Sequence, residues 1–408
     1  MLADPADVRP SVSPARLAPR PSPARLMINR RRVLSRLVSP LVLAPAASLA
    51  LPALAQADRR LVLGQSCALT GPASQLGLQY NRGARLYFDR LNAEGGVGGR
   101  TVELRALDDG YEPDRCAANT EAFIARGEVF SLFGYLGTPT SLAALPLATA
   151  AGLPFFAPLT GAEALREPFN RYAYHVRASY FDETALIVRD LTALGLNKIA
   201  VFRQDDAYGQ AGLNGVTRAL RARQLEPVSV GLVKRNTVDV AAAVQAIVPT
   251  RPDAVVQISV YKSCAAFIRS ARAAGYGGRF YNVSFVGTQA LADELGKDAL
   301  GVVVSQVMPY PFSTTTPISR EYLDALQRAG GNHRPNYSSI EGYIAAKVFT
   351  EGLRRAGPNP TRDGLMKALE TLQRFDLGGY SINFGPRSHN GSTFVDLSML
   401  TGDGKVRH

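Results

Sequence analysis

The sequence is poor in the residues that most often build metal centres and covalent catalysts. Its 408 residues include three cysteines and four histidines. They are scattered along the chain, and no group of them has the spacing of a metal-binding motif. The chain also lacks a G-x-S-x-G elbow and an H-E-x-x-H motif, and no histidine lies close in sequence to a candidate nucleophile. We therefore expect neither an enzyme nor a protein that holds a metal or another cofactor.

Long blocks of like charge are absent too, although the formal net charge is +12. Eight arginines and two acidic residues fall within residues 1–57, which leaves 38 basic and 32 acidic residues for the rest of the chain. A nucleic-acid surface normally carries a basic stripe with interleaved aromatic residues, and the sequence contains no such stripe. This pattern indicates that nucleic acid is not a partner.

The excess of arginine belongs to a segment that is typical of exported proteins. From Met27, a basic start precedes an apolar stretch that ends in Ala55 and Ala57, the A-x-A arrangement that signal peptidase accepts. We interpret residues 1–57 as a leader and signal peptide cleaved after Ala57, so that the mature protein is periplasmic. A transmembrane anchor is the alternative, which three prolines and the shortness of the apolar stretch disfavour.

Export to an oxidising compartment permits disulfide bonds. Cys67 ends the first predicted strand, and Cys116 opens the helix that follows the second one. A bridge between Cys67 and Cys116 is therefore one interpretation of the cysteines. Cys264 is more typical of a buried free thiol.

Short apolar segments alternate with helical patterns from Arg60 onward. The segments LVLGQSC, TVELRALD (Thr101–Asp108) and VFSLFG are each followed by an amphipathic run. Such alternation predicts parallel-rich sheets that are covered by helices. The pattern restarts with a helix from Asp182 and the strand KIAVFR, which predicts a second α/β unit of similar size. The segments after Pro309 are too few for a third domain, and we expect them to complete the first two.

Two α/β lobes that face each other form a ligand cleft from the loops at the carboxyl ends of their strands. The candidate loops are Tyr135–Thr140, Leu159–Glu163, Gln204–Gly209, Val260–Ser263 and Ser284–Gly287. In GYLGTPTS, N–H groups at a predicted helix start and the hydroxyls of Thr138 and Thr140 favour binding of a carboxylate. The alternative is that Thr138 only caps its helix.

Six segments together resemble one known family. In chain order they are ALTGPASQLGLQYNRGARLYFDRLNAEGGVGGR, DDGYEPDRC, GYLGTPTS, DDAYGQAGLNG, NVSFVG and SSIEGYIAAK. The chain resembles, from about Arg60 to Val406, the solute-binding proteins of ABC importers of the leucine/isoleucine/valine type, which are type I periplasmic binding proteins. This resemblance implies a monomer that captures a small carboxylate-bearing ligand, such as an amino acid or an organic acid, and delivers it to permease and ATPase subunits. A receptor of the same fold that signals to a regulator or chemoreceptor is the alternative.

The same resemblance implies two Rossmann-like lobes that are joined by three crossings. Those crossings would lie near residues 177–179, 309–312 and 393–395. Lobe 1 would then comprise residues 58–178 and 311–393, and lobe 2 would comprise residues 179–310 and 394–408.

The resemblance also gives roles to single residues. Thr138 and the loop of Thr160 and Gly161 would hold the ligand carboxylate. Tyr208 and Tyr261 would close from lobe 2, although both are also compatible with an ordinary core position. The full set of expected ligand contacts is Leu76, Tyr135, Thr138, Thr140, Thr160, Gly161, Tyr208, Tyr261 and Ser284.

At Ser284 the sequence differs from the family that it resembles. Amino-acid binders of this type carry an acidic residue at the matching position, and that residue pairs with the ligand's ammonium group. A buried ammonium group without a carboxylate partner costs several kcal/mol. Either another acid replaces it, with Asp205 or Asp206 as the first candidates and Asp182 or Glu183 as further ones, or the ligand is an organic acid without an ammonium group.

Three other acidic residues have more ordinary interpretations. Asp108 and Asp109 form a carboxylate pair at a strand end, which suits either acid–base chemistry or, as we expect, capping of the next helix. Glu341 lies on an amphipathic helix, where a solvated or hinge-contacting position is the default expectation.

The leader generates the first prediction. Protein isolated from its native host should be soluble outside the cytoplasm and should begin at Asp58, because signal peptidase cleaves after A-x-A. N-terminal sequencing of that protein checks the expectation. Recovery of an intact N-terminus in the membrane fraction would contradict it.

Overall fold

The computed structural model describes residues 60–408. The predicted signal peptide and its cleavage site lie outside the described residues. No helix within residues 60–408 combines the length and the apolar character that a membrane span requires.

The described part of the chain alternates between strands and helices. Its strands are β1 (Arg60–Cys67), β2 (Thr101–Asp108), β3 (Val129–Phe133), β4 (Phe155–Phe156), β5 (Ala173–Tyr174), β6 (Ile199–Gln204), β7 (Val230–Val233), β8 (Ala254–Ile258), β9 (Arg279–Asn282), β10 (Val303–Gln306), β11 (Phe375–Asp376), β12 (Ser381–Ile382), β13 (Asp396–Leu400) and β14 (Val406–Arg407). Its α-helices are α1 (Ser74–Ala93), α2 (Pro113–Arg126), α3 (Thr138–Ala150), α4 (Tyr180–Ala193), α5 (Ala207–Arg221), α6 (Ala241–Ile247), α7 (Tyr261–Ala273), α8 (Thr288–Leu295), α9 (Pro317–Ala329), α10 (Tyr337–Ala356) and α11 (Arg362–Leu369).

Two large sheets organise these elements. The first sheet has the order β2-β1-β3-β4-β5, and all of its strands are parallel. The second has the order β14-β13-β10-β9-β8-β6-β7, and it is parallel from β10 to β7. Its last two strands are antiparallel, since β13 pairs with β10 and β14 pairs with β13. The predicted α/β class with two parallel-rich sheets is confirmed.

Local sequence signals fix several element boundaries. Ser179 and Asp182 form a capping box at the start of α4, and the Asp206 carboxylate accepts the N–H groups of Tyr208 and Gly209 at the start of α5. The Asn336 side chain accepts the N–H of Ser339 at the start of α10. These caps satisfy N–H groups that have no partner inside a helix, and they hold three helix starts at the face where the two sheets meet.

The cysteines do not form the predicted bridge. Cys67, Cys116 and Cys264 are all free thiols with buried side chains in the structure. Burial raises the pKa of the Cys67 thiol, and the neighbouring carboxylates of Asp109 and Asp108 raise it further. Burial also raises the pKa of Cys116, so both side chains behave as small apolar groups at neutral pH.

Helices α1 and α10 cross at very short range because a glycine from each stands at the crossing. A Cβ on Gly83 would lie 1.8 Å from the carbonyl oxygen of Ser339, and a Cβ on Gly342 would lie 2.1 Å from that of Tyr80. Neither distance is possible for real atoms. The crossing therefore requires both glycines, and it fixes the position of Glu341 relative to Leu76 of α1.

This crossing generates a stability prediction. Gly83→Ala should lower the free energy of unfolding by about 1–3 kcal/mol, because the added methyl group forces two packed helix backbones apart. Chemical denaturation followed by circular dichroism measures the loss. Gly277→Ala is the control, since a Cβ there meets nothing within 4 Å. Equal stability of Gly83→Ala and wild type would show that α1 and α10 accommodate a Cβ at the crossing, which would contradict the prediction.

Candidate functional site

An enclosed cavity lies where the carboxyl ends of strands from both sheets meet. Loops and helices of the first sheet and the loops after β9 and β10 of the second sheet surround it. Its lining consists of Leu76, Leu159, Ser284, Phe285, Gln306, Val307, Met308, Tyr337, Ser338 and Glu341. Only about 10 Å³ is open to the centre of a water molecule, which is room for roughly one water. The structure is thus a closed arrangement of the two sheets.

The loop after β2 reaches across to the second sheet. Tyr111 has a φ of 64°, and its hydroxyl accepts a hydrogen bond from the Gln204 side chain at 3.2 Å. Its ring centre lies 5.9 Å from that of Phe285. The loop therefore packs an aromatic ring of the first sheet directly onto the second.

A group of polar contacts that we call the clasp extends this crossing. It consists of Gly110 and Glu112 on one side and of Arg235 and Asn236 on the other. Arg235 Nη2 donates to Glu112 Oε2 at 2.8 Å, and Asn236 Nδ2 donates to Glu112 Oε1 at 2.7 Å and to the Gly110 carbonyl at 3.0 Å. Partial burial raises the pKa of Glu112, but the hydrogen bonds from Arg235 and Asn236 outweigh it and lower the pKa overall.

The predicted carboxylate seat is partly assembled. Thr138 Oγ1 and Thr160 Oγ1 lie 2.7 Å apart, and Thr160 Oγ1 is 3.4 Å from the Tyr180 hydroxyl. Helix α3 begins at Thr138 and has no side-chain cap, so the alternative role of Thr138 as a helix cap is not observed. Gly161 lies in the same place, and a Cβ on it would come within 2.7 Å of the Tyr180 nitrogen. The structure therefore brings three of the predicted contacts together.

Two other predicted contacts of this loop are engaged elsewhere. The Thr140 hydroxyl donates back to the carbonyls of Leu136 and Gly137 within the same loop. The Tyr135 hydroxyl lies 3.0 Å from that of Thr120, in a separate apolar cluster behind the first sheet. Neither side chain lines the cavity, and neither do Thr138, Thr160 and Gly161; of the predicted contacts, Leu76 and Ser284 line it.

Tyr208 and Tyr261 are buried on the second-sheet side, and Leu76 of α1 makes a contact across to that side. Tyr208 is fully buried, with its ring centre 5.5 Å from that of Tyr180 and 4.8 Å from that of Phe285. Within residues 60–408 its hydroxyl has no hydrogen-bond partner. Tyr261 is buried at the start of α7. Leu76 packs so closely against Gly287 that a Cβ there would lie 2.5 Å from Leu76 Cδ2.

A buried ion cluster stands beside the cavity, and we call it the Arg177 cluster: Arg177, Glu183, Ser284 and Glu341. Arg177 Nη2 lies 3.4 Å from Glu183 Oε1 and donates to Ser284 Oγ, while Nη1 lies 3.6 Å from Glu341 Oε1. Burial by itself lowers the pKa of Arg177, but Glu341 and Glu183 raise it above its ordinary value. Arg177 therefore stays charged.

The structure shows where each acid lies that could replace the acidic side chain missing at position 284. The Asp206 side chain caps α5, and its Oδ2 lies 3.3 Å from Arg235 Nη1. The Asp182 side chain caps α4. The Asp205 side chain is 61% exposed. Asp205 and Asp206, the first candidates, are thus not at Ser284, because one is in solvent and the other is held by a helix start. The Glu183 carboxylate does lie beside Ser284, because Ser284 N and Oγ donate to it at 2.7 and 3.0 Å.

Glu341 and Arg177 are the residues that sequence reasoning undervalued. Glu341 is buried, lines the cavity and contacts Arg177 of the first expected crossing, so the hinge-contacting position is observed and the solvated one is not. Burial raises its pKa to about 7, although Arg177 acts in the opposite direction. The available signal was its place within SSIEGYIAAK, a run of small and apolar residues that left little room for a solvated side chain. Arg177 was noted only as part of a crossing.

The expected helix-capping role of Asp108 and Asp109 is wrong. Helix α2 begins after Glu112 and has no side-chain cap. Asp108 instead accepts the N–H groups of Leu69, Thr70 and Gly110, and Asp109 accepts the Ser66 hydroxyl and the Tyr111 N–H. Both carboxylates therefore shape the turn that carries Tyr111. Among residues 60–408, no cluster of histidine, cysteine and acidic side chains could hold a metal ion.

Comparison with known proteins places this geometry in a family. A family model described as "Periplasmic binding protein" matches residues 61–405. The Leu/Ile/Val-binding protein homolog 8 of Brucella abortus (strain 2308) is 26% identical over 365 residues, which cover 84% of this chain and 88% of that protein.

Two crystal structures are similar in both sequence and fold. One is a possible leucine/isoleucine/valine-binding protein from Rhodopirellula baltica SH 1, with a TM-score of 0.81, 36% identity, and coverage of 85% of this chain and 95% of that one. The other is a substrate-binding periplasmic protein from Ralstonia solanacearum, with a TM-score of 0.80, 30% identity, and coverage of 85% and 99%. The chain therefore belongs to the periplasmic binding protein family, as a type I member of the leucine/isoleucine/valine type.

Proposed function

We propose that this protein is an extracytoplasmic solute-binding protein that captures a small carboxylate-bearing ligand and delivers it to the permease and ATPase subunits of an ABC importer. The observation that carries this proposal is the enclosed cavity at the carboxyl ends of strands from both sheets. A site built from two facing sheets engulfs a ligand when the sheets approach each other, and closure gives a partner protein a surface that differs from that of the open form. The named relatives, described as binding proteins, support the same interpretation.

The proposed seat for the ligand carboxylate is the group of Thr138, Thr160 and Tyr180. Their hydroxyls lie close together, next to the first turn of α3. A helix start offers N–H groups and a partial positive charge, so it favours an anion. The oxygens Thr138 Oγ1 and Thr160 Oγ1 pair with each other in the closed form, and a ligand carboxylate would take over both as donors.

The proposed mechanism is hinge closure about the three crossings of residues 177–179, 309–312 and 393–395. The clasp and the contact of Tyr111 with Phe285 would form only when the lobes close, because each joins the loop after β2 to the second sheet. The ligand's contribution is to stabilise that closed state through contacts with both lobes.

Ligand capture is tested by a thermal-shift screen over amino acids and aromatic acids, followed by small-angle scattering with the compound that binds. Binding to the closed form alone should raise the melting temperature by an amount that grows with the ratio of ligand concentration to Kd. The radius of gyration should fall on saturation. A radius that stays constant at saturation would rule out hinge closure.

Arg235→Met supplies a variant for the same experiment. Without the clasp the closed state has fewer contacts between the lobes, so at the same ligand concentration the radius of gyration of the variant should fall less than that of wild type. Arg221→Met is the matched control, because Arg221 pairs with the exposed Glu226 on the same lobe. It should scatter like wild type.

The carboxylate seat generates a separate prediction. Thr138→Val removes one donor and keeps the side-chain shape, and a hydrogen bond to a charged group is worth about 1.5–3 kcal/mol. Affinity for the ligand found in the screen should therefore fall roughly 10-fold or more, as measured by calorimetry. Thr350→Val, at a buried threonine of α10 whose hydroxyl has no partner within residues 60–408, should keep wild-type affinity. Equal affinities of the two variants would remove Thr138 from the site.

A further inference from the structure

The Arg177 cluster is one positive charge short. Arg177 carries one positive charge, and Glu183 and Glu341 carry one negative charge each when both are ionised. The side chains of Arg177 and Glu183 are 1% and 0% exposed, and that of Glu341 is 9% exposed. Buried charges are stable only when they are paired. The neighbouring buried cation, Arg166, donates to the carbonyls of Arg177 and Ala178 and to neither carboxylate of the cluster, so the cluster lacks one positive charge, which a proton or a cation would supply.

Hydrogen-bond donors already stabilise the ionised carboxylate of Glu183, so it does not require the additional positive charge. Its carboxylate accepts from Ser284 N, from Ser284 Oγ and, at 2.5 Å, from Ser305 Oγ, and it also faces Arg177 Nη2. These donors come from three separate segments, and they satisfy the carboxylate in its ionised form.

Glu341 is in the opposite situation. Within residues 60–408 its carboxylate accepts no hydrogen bond, and its one ionic contact is Arg177 Nη1 at 3.6 Å. It also lines the cavity, next to Ser284 and Leu76. The unmet negative charge of the cluster is therefore on Glu341, and it faces the space that the ligand would enter.

We propose that Glu341 is the specificity-determining residue of the site: its carboxylate pairs with a positively charged ammonium group of the ligand. This inference rests on the proposed function and narrows it. The ligand would be a zwitterion such as an α-amino acid, with its carboxylate on the Thr138 side and its ammonium group at Glu341. This acid lies on α10, on the first-sheet side of the cleft. It takes the place of an acid at position 284, after β9 on the second-sheet side, where the residue is a serine.

Without a ligand, a proton supplies the missing charge. Burial raises the pKa of Glu341 to about 7, so the carboxyl group is partly protonated at neutral pH. The other ionisable groups around it are Arg177, Glu183, and the hydroxyls of Tyr80 on α1 and Tyr380 before β12. Burial raises the pKa of both tyrosines, so they stay neutral. An incoming ammonium group therefore displaces the proton of Glu341 into solvent.

The test uses pairs of probes that differ only in the ammonium group: leucine with 4-methylpentanoate, and phenylalanine with 3-phenylpropanoate. Calorimetry compares wild type, Glu341→Gln and the control Glu351→Gln, which lies on the same helix and pairs with Arg355 near the surface. Wild type should prefer the amino acid, and Glu341→Gln should weaken amino-acid binding by about 10- to 100-fold while leaving the deaminated probe unaffected. Glu351→Gln should match wild type.

Proton release gives a second readout on the wild-type protein. Titrations at pH 7 in buffers of different ionisation enthalpy should show net proton release when an amino acid binds, because the raised pKa of Glu341 leaves part of its carboxyl groups protonated. The deaminated probes should release none. This measurement needs no variant, so it decides the question even if Glu341→Gln does not fold.

The pH dependence of stability gives a readout without any ligand. Because the folded state raises the pKa of Glu341 from 4.5 to about 7, its protonated form stabilises the fold below pH 4.5, and that contribution is lost as the pH rises through 7. Wild type should thus lose melting temperature relative to Glu341→Gln between about pH 5 and pH 8, and Glu351→Gln should follow wild type.

The outcomes separate the two proposals. Failure of every probe and of the wider screen to bind would overturn the proposed function, and the role of Glu341 would fall with it. Tight binding of a deaminated probe, unaffected amino-acid affinity in Glu341→Gln, or a pH profile shared by wild type and Glu341→Gln would overturn the role of Glu341 alone.

Discussion

The interaction on which the closed structure depends is the burial of the Arg177 guanidinium between two carboxylates. Arg177 lies between β5 of the first sheet and α4, the first helix of the second. Its partners are Glu183 at the start of α4, Ser284 after β9, and Glu341 on α10. One cation therefore ties three segments together where the chain passes between the sheets. Removing one partner of a buried pair costs about 3–5 kcal/mol, because a charge is left uncompensated.

The clasp and the Arg177 cluster hold the two sheets together by different physics. Arg235 and Glu112 of the clasp are 23% and 42% exposed, so water and salt weaken their attraction. The charged side chains of the Arg177 cluster are at most 9% exposed, and in such a site each charge interacts more strongly and must be balanced. Because the contacts of the clasp are weak, they can break and re-form when the lobes open and close. Because charges inside the cluster must be balanced, the cluster can discriminate between ligands by their charge.

Much of the fold followed from the sequence. Strand β2 has the predicted bounds, Thr101–Asp108, because its segment has clear ends. Strands β4 and β5 contain only two residues each within the described chain. Strand β13 pairs antiparallel with β10, and β14 pairs antiparallel with β13, which no local pattern indicates. Of the predicted contacts, Thr138, Thr160 and Gly161 meet, whereas Thr140 and Tyr135 have local partners.

The sequence by itself determined the α/β class, the strand-end loops and the family, since these depend on periodicity and on segments that are contiguous in the chain. Only the tertiary structure decided which acids meet at Arg177 and which of them, Glu341, lines the cavity. Glu183 and Glu341 are 158 residues apart in the numbering of the chain, and both contact Arg177 only because the α1–α10 crossing and the start of α4 bring them there. Burial then raises the pKa of Glu341, and burial is a property of packing that one segment of sequence does not contain.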